Sequence, residues 1–105
     1  MVSNSELSLL WGQLKGYYGE NSNVEFRYLN VTDTFVCKIW DIVLIIGRFL
    51  VADIYIKSHF YGKVEFSTLN ELEKFIDITI LYYNSDSENE LQISELLRFI
   101  RYKTG

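Results

Sequence analysis

The chain carries one histidine, His59, and one cysteine, Cys37, which bounds its nucleophilic chemistry at once. A thiol–imidazole pair needs both groups in hydrogen-bond reach and a third group to orient the base. Cys37 stands in an alternating run with Phe35 and Ile39, and a cysteine among apolar neighbours is usually inert packing. A transition-metal site needs several clustered thiols or imidazoles, so no metal and no cofactor is expected. No glycine-rich phosphate loop, metal-ligand helix motif or nucleophile elbow is present in the sequence. Two acids draw more interest, Asp41 and Asp53, because the residues around them are otherwise apolar. Burial would raise their pKa values, as a general acid requires. The expected strand pairing puts them on opposite faces, however, and salt bridges to Arg27, Arg48 or Lys57 are the simpler role. An enzyme is therefore the third-ranked reading, with Asp53 or His59 as its essential residue.

Binding chemistry is better represented. Tyr55, Lys57, His59, Phe60, Tyr61 and Lys63 interleave cations with rings, the combination that single-stranded nucleic acid meets by phosphate neutralisation and base stacking. Arg98, Arg101 and Lys103 add a basic spot near the C-terminus. Against this, the whole chain has a net charge of −4, whereas nucleic-acid binders carry a basic excess. The stronger signal is acidic: Glu71, Glu73, Asp77, Asp86, Glu88, Glu90 and Glu95 face Lys74 alone between positions 71 and 95, a net of −6. Acids on a solvated helix face need no function. As a surface, they would speed encounter with a basic partner and select it.

The elements that must hold these residues follow from periodicity. Ser3 and Glu6 stand in capping-box spacing, and Leu7, Leu10, Trp11, Leu14, Tyr17 and Tyr18 then make one helical stripe. Val24 to Leu29 alternates as a half-exposed strand, and Asn30 to Asp33 is turn chemistry. Thr34 to Ile46 reads as one long strand, with a bulge or bend near Asp41. Gly47-Arg48 suits a two-residue type II′ turn, which pairs Ile46 with Phe49 and Ile39 with Ile56. A last strand is expected at Lys63 to Phe66. Thr68 and Glu71 repeat the capping-box spacing before a second helix with Leu69, Leu72, Phe75, Ile76, Thr79, Ile80 and Tyr83 on its buried side. Leu91, Ile93, Leu96, Leu97 and Ile100 predict a third.

The fold class is thus α+β: an N-terminal helix, a four-stranded antiparallel meander and two C-terminal helices, since strands are grouped and helices sit at the ends. The 105 residues suffice for one domain spanning 1–105. In the expected register Trp40, Ile42, Leu44, Phe49 and Val51 form an apolar second sheet face, which predicts cover by a helix or a homodimer interface. Asp41, Arg48 and Asp53 interrupt the greasiest stretch, Ile39 to Ile56, so no membrane span is expected. The N-terminus lacks a basic region followed by an apolar core. A soluble, cytoplasmic protein is the expectation. The reading that unites these features is a small acidic protein-binding module, an inhibitor or immunity-type protein that occludes a basic, nucleic-acid-handling partner. A single-stranded nucleic-acid-binding accessory protein is the alternative.

Overall fold

A computed structural model of the chain describes residues 4–47 and 49–84. Helix α1 (Asn4–Tyr18) forms where Leu7, Leu10, Trp11 and Leu14 recur at helical spacing, and all four are buried. It stops at Gly19, where a Cβ would lie 2.5 Å from the Lys15 carbonyl oxygen. Tyr17, expected on the buried stripe, is 81 % exposed. At 100° per residue it falls roughly 75° off the centre of that stripe, so it hangs over the edge. Tyr18, one residue on, turns inward and half-buries.

Five strands follow: β1 (Val24–Leu29), β2 (Thr34–Ile39), β3 (Ile42–Ile46), β4 (Val51–Ile56) and β5 (His59–Glu65). They pair in sequence order as an antiparallel meander. Four strands were expected. The difference is that Thr34 to Ile46 is not one bent strand but two, folded back at Trp40–Asp41 so that Ile39 pairs with Ile42. No glycine, proline or asparagine marks this turn. Trp40 itself takes the left-handed conformation, at φ 51°, rare for a bulky residue. It is held there from three sides. Its N–H donates to the Asn23 carbonyl (2.8 Å), the Lys57 N–H donates to the next carbonyl, Asp41 (2.9 Å), and its indole stacks on Tyr83.

This turn decides which side chains are inside. Along an unbroken strand Phe35, Cys37 and Ile39 would share a face with Val43 and Ile45; across a two-residue turn they share it with Ile42, Leu44 and Ile46. The latter three are fully buried. β4 must then present Ala52, Ile54 and Ile56 to the same side, and Ile46 accordingly pairs with Ala52, not with Phe49. The Gly47–Arg48 two-residue turn gives way to a wider loop. Leu50 closes it at φ 57°, donating its N–H to the Gly47 carbonyl (3.1 Å) and burying its side chain, while Phe49 is left 70 % exposed.

Helix α2 (Leu69–Asn84) begins as its spacing predicts. The Glu71 N–H donates to Thr68 Oγ1 (3.2 Å), and the Ser67 N–H donates to Glu71 Oε2 (2.8 Å), satisfying two otherwise orphaned donors. Leu72, Phe75, Ile76, Thr79 and Ile80 are buried. The Thr79 hydroxyl donates to the Phe75 carbonyl (2.7 Å), so its burial leaves no donor unmet. Both helices lie on the face built by Phe26, Phe35, Cys37, Leu44 and Ile54. Trp11 is the rivet of that layer. Its ring meets Phe26 and Phe35 edge-on (5.7 and 5.6 Å), and its Nε1–H donates to the Val36 carbonyl (3.1 Å). The third helix expected from Leu91 to Ile100 lies outside the described residues. The architecture is α+β, with both described helices on one side of a five-stranded sheet.

Replacing the α2 cap, Thr68→Ala, should cost about 1 kcal/mol of stability and lower Tm by roughly 4–8 °C in a calorimetric scan. An unchanged Tm would mean that Thr68 does not cap the helix in solution.

Candidate functional site

Cys37 and His59 do not meet. They stand on β2 and β5, three strand spacings apart, which is about 14 Å. Cys37 is completely buried, and burial pushes its thiol pKa far up, against thiolate formation. Asp41 is exposed in the β2–β3 turn, whereas Asp53 is half-buried on β4 opposite Ile45. The Asp53 carboxylate accepts from Lys63 Nζ at 2.6 Å, a partner on the neighbouring strand different from the three considered from sequence. Among the described residues no three metal-ligating side chains cluster. A polar cleft of about 190 Å³, lined by Ser22, Asn23, Glu25, Lys38, Trp40 and Asp41, flanks the strained turn.

The basic and aromatic residues do come together, but on a strand, not a loop. Only Lys57 and Ser58 form the turn, at φ 51° and 70°, and β5 starts at His59. A bulge between Ile54 and Tyr55 pairs Tyr55 with Phe60, and their rings touch edge-on at 5.4 Å. Phe60 and Tyr61 are about half exposed (55 % and 48 %) along this sheet edge. Lys63 is paired with Asp53.

The acidic residues of α2 divide by what they do. Glu71 caps the helix. Asp77 accepts from the Tyr18 hydroxyl at 2.5 Å, tying α2 to the end of α1. Glu73 is half-buried and, with Glu6 of α1, lines a groove of about 260 Å³ between the two helices. Leu9, Leu10 and Leu69 supply its apolar floor, and Leu9 is 65 % exposed. Asp86, Glu88, Glu90 and Glu95 lie outside the described residues. Leu9 escaped sequence reasoning, although the signal existed: it sits opposite the buried stripe of α1, where a leucine contributes nothing to the core.

The second sheet face is not built from the residues expected. Ile42 and Leu44 are fully buried beneath the helices, Trp40 stacks on Tyr83, and Phe49 is in a loop. Of that set only Val51 lies on the second face. Its neighbours there are Val36, Val43, Ile45, Asp53 and Tyr55, all half-buried. Glu25, Arg27 and Lys38 flank them on one side, with Lys63 and Glu65 on the other. The Arg27–Glu25 pair (3.4 Å) is well exposed and adds little to stability.

No protein-family model, curated protein or solved structure matches the chain. No helix among the described residues is long and apolar enough to cross a membrane.

Two outcomes follow from these environments. The Tyr18 hydroxyl is held above its usual pKa of 10.0, first by burial and then by its hydrogen bond to Asp77 and that carboxylate's charge. The folded chain keeps a proton there that the unfolded chain releases above pH 10, so the stability this group contributes is complete below pH 10 and is lost as pH rises further. Melting curves from pH 8 to 11 should fall more steeply for the wild type than for Tyr18→Phe; parallel curves would contradict the assignment. Cys37 should resist a disulfide reagent at pH 8 in the native protein and react fully in denaturant, as followed by released thiolate absorbance. Rapid native labelling would show the core to be open.

Proposed function

We propose that this protein is a small protein-binding module of the inhibitor or immunity type, which occludes a basic partner through the groove between α1 and α2. One observation carries the reading. The groove has an apolar floor with Leu9 exposed and an acidic rim with Glu6 and Glu73, which is the anatomy of a protein interface, apolar at the centre and polar around it. A rim charge steers encounter, while a central leucine excludes water and holds the complex. Asp77 joins the same acidic side but is engaged with Tyr18, so its reversal would disturb the helices as well as the surface. A nucleic-acid-binding accessory protein is the second reading, supported by the half-exposed Phe60 and Tyr61 beside Lys57 and Lys63. The Asp53–Lys63 pair weakens it by cancelling one of the few cations.

Affinity capture of the tagged protein from its native cells, with and without nuclease, separates the two. The expected result is one stoichiometric basic protein that survives nuclease. The Leu9→Asp/Glu73→Lys variant, shown folded by circular dichroism, should bind it about 30-fold or more weaker, the loss of a hot spot worth about 2 kcal/mol. Undiminished binding by that variant would sink the groove, and a bait emptied by nuclease would favour the aromatic edge of β5.

A further inference from the structure

The groove between α1 and α2 has a direction, a wall chemistry and a charge, and together they select what fits it. Early residues of both helices line it, Glu6 and Leu9 from α1 with Leu69 from α2, and later residues of both meet at Tyr18 and Asp77. The two helices therefore run the same way, and the groove is a trough along their length. We propose, resting on the reading of this groove as a partner site, that the part of the partner entering it is an amphipathic α-helix with lysine or arginine along its flanks.

The apolar anchors extend past the groove floor. Glu6, Gln13 and Tyr17 recur at helical spacing, so Tyr17 continues the row of α1 that borders the groove. Glu73, Asp77 and Leu81 recur likewise and make the opposing row of α2. Leu9, Tyr17 and Leu81 are 65 %, 81 % and 68 % exposed. The Tyr17 ring lies edge-on against Tyr18 at 4.9 Å, so it is positioned before anything binds. From Leu9 to Tyr17 the helix rises about 12 Å. Side chains two turns apart on a second helix have nearly that separation, which leaves those one turn along to meet the floor between them.

The walls decide between a helix and an extended peptide. Both are helix faces, whose backbone groups are bonded within their own helix, so they present no ladder of donors and acceptors to an incoming chain. An extended peptide would leave its N–H and C=O groups without partners against the apolar floor, whereas a helix arrives with them satisfied. Charge sets the flanks. Glu6 and Glu73 border the floor, and among the described residues no lysine or arginine lines the groove. A basic helix is attracted by both carboxylates and an acidic one is repelled. A second copy of this chain is the competing occupant, but packing groove against groove about a two-fold axis would oppose like charges.

Two model peptides of leucine and lysine with identical composition test this on the full chain. One spaces its leucines at the helical period and the other alternates leucine with lysine, the strand period. The helical peptide should bind about 10-fold or more tighter than the alternating one, gain helicity in circular dichroism, and shift amide NMR signals of α1 and α2 but not of the sheet. Leu81→Asp, on the exposed side of α2, should weaken that binding about 10-fold. Equal affinity for the two peptides, or binding that leaves α1 and α2 unmoved, would overturn the proposal. So would a doubled mass in light scattering that Leu9→Asp returns to that of one chain, since a second copy would then fill the groove. The underlying reading fails by a different sign: a captured partner indifferent to Leu9→Asp/Glu73→Lys sinks the groove itself, whereas one that needs Leu9 while the peptides are not discriminated sinks the helix alone.

Discussion

The fold depends on a parity constraint imposed at Trp40–Asp41. Side chains of a strand alternate between faces, so the number of residues in each turn fixes which half of the next strand faces the helices. With two residues there, the stripe of Phe35, Cys37 and Ile39 continues into Ile42, Leu44 and Ile46, and then into Ala52 and Ile54. One residue more or fewer would send Val43 and Ile45 inward and strand three isoleucine and leucine side chains in water. A left-handed tryptophan costs backbone energy, and the indole stack on Tyr83 with the two hydrogen bonds around the turn offsets it. The core thus dictates the turn, against the turn's own local preferences.

The same constraint separates the molecule's two sides. On the helical side, Trp11, Phe26, Phe35 and Tyr18 form a continuous ring network, and the Tyr18–Asp77 hydrogen bond fixes α1 against α2. That contact closes one end of the helix pair, and the groove opens toward the other, between Glu6, Leu9 and Leu69. On the sheet side the outer strands are guarded against stray pairing. β1 carries Glu25 and Arg27, while β5 is interrupted by its bulge and carries Lys63 and Glu65, devices that blunt an exposed edge.

Much of this was legible in the residues. Most of each helix's buried stripe, the Thr68–Glu71 cap, the bounds of β1 and the α+β class all follow from spacing, because in each case local preference and tertiary packing agree. The β2–β3 turn was not legible as a full reversal: Asp41 suggests a bend, but tryptophan carries no turn signal and the surrounding run is otherwise apolar. That single miss propagated. It inverted the register of the central hairpin and assigned Ile42 and Leu44 to the second face instead of the core. Among the candidate site residues, grouping by sequence found the Tyr55–Phe60 contact and the acids of α2. It could not see that Asp77 is occupied by the fold, or that Leu9 of α1 and Glu73 of α2 line one groove, because that closeness arises only when the two helices pack.

The neighbour order of the strands carries a kinetic corollary. Every hydrogen-bonded pair in the sheet is joined by a connection of two to four residues, so each closure sacrifices little chain entropy and the sheet can zip from hairpin to hairpin. The distant event is the closing of the helical layer, where Tyr18 must find Asp77 across 59 positions of sequence. A landscape of this shape divides the labour between the two. Short closures assemble the sheet, and the long-range clasp completes the helical layer.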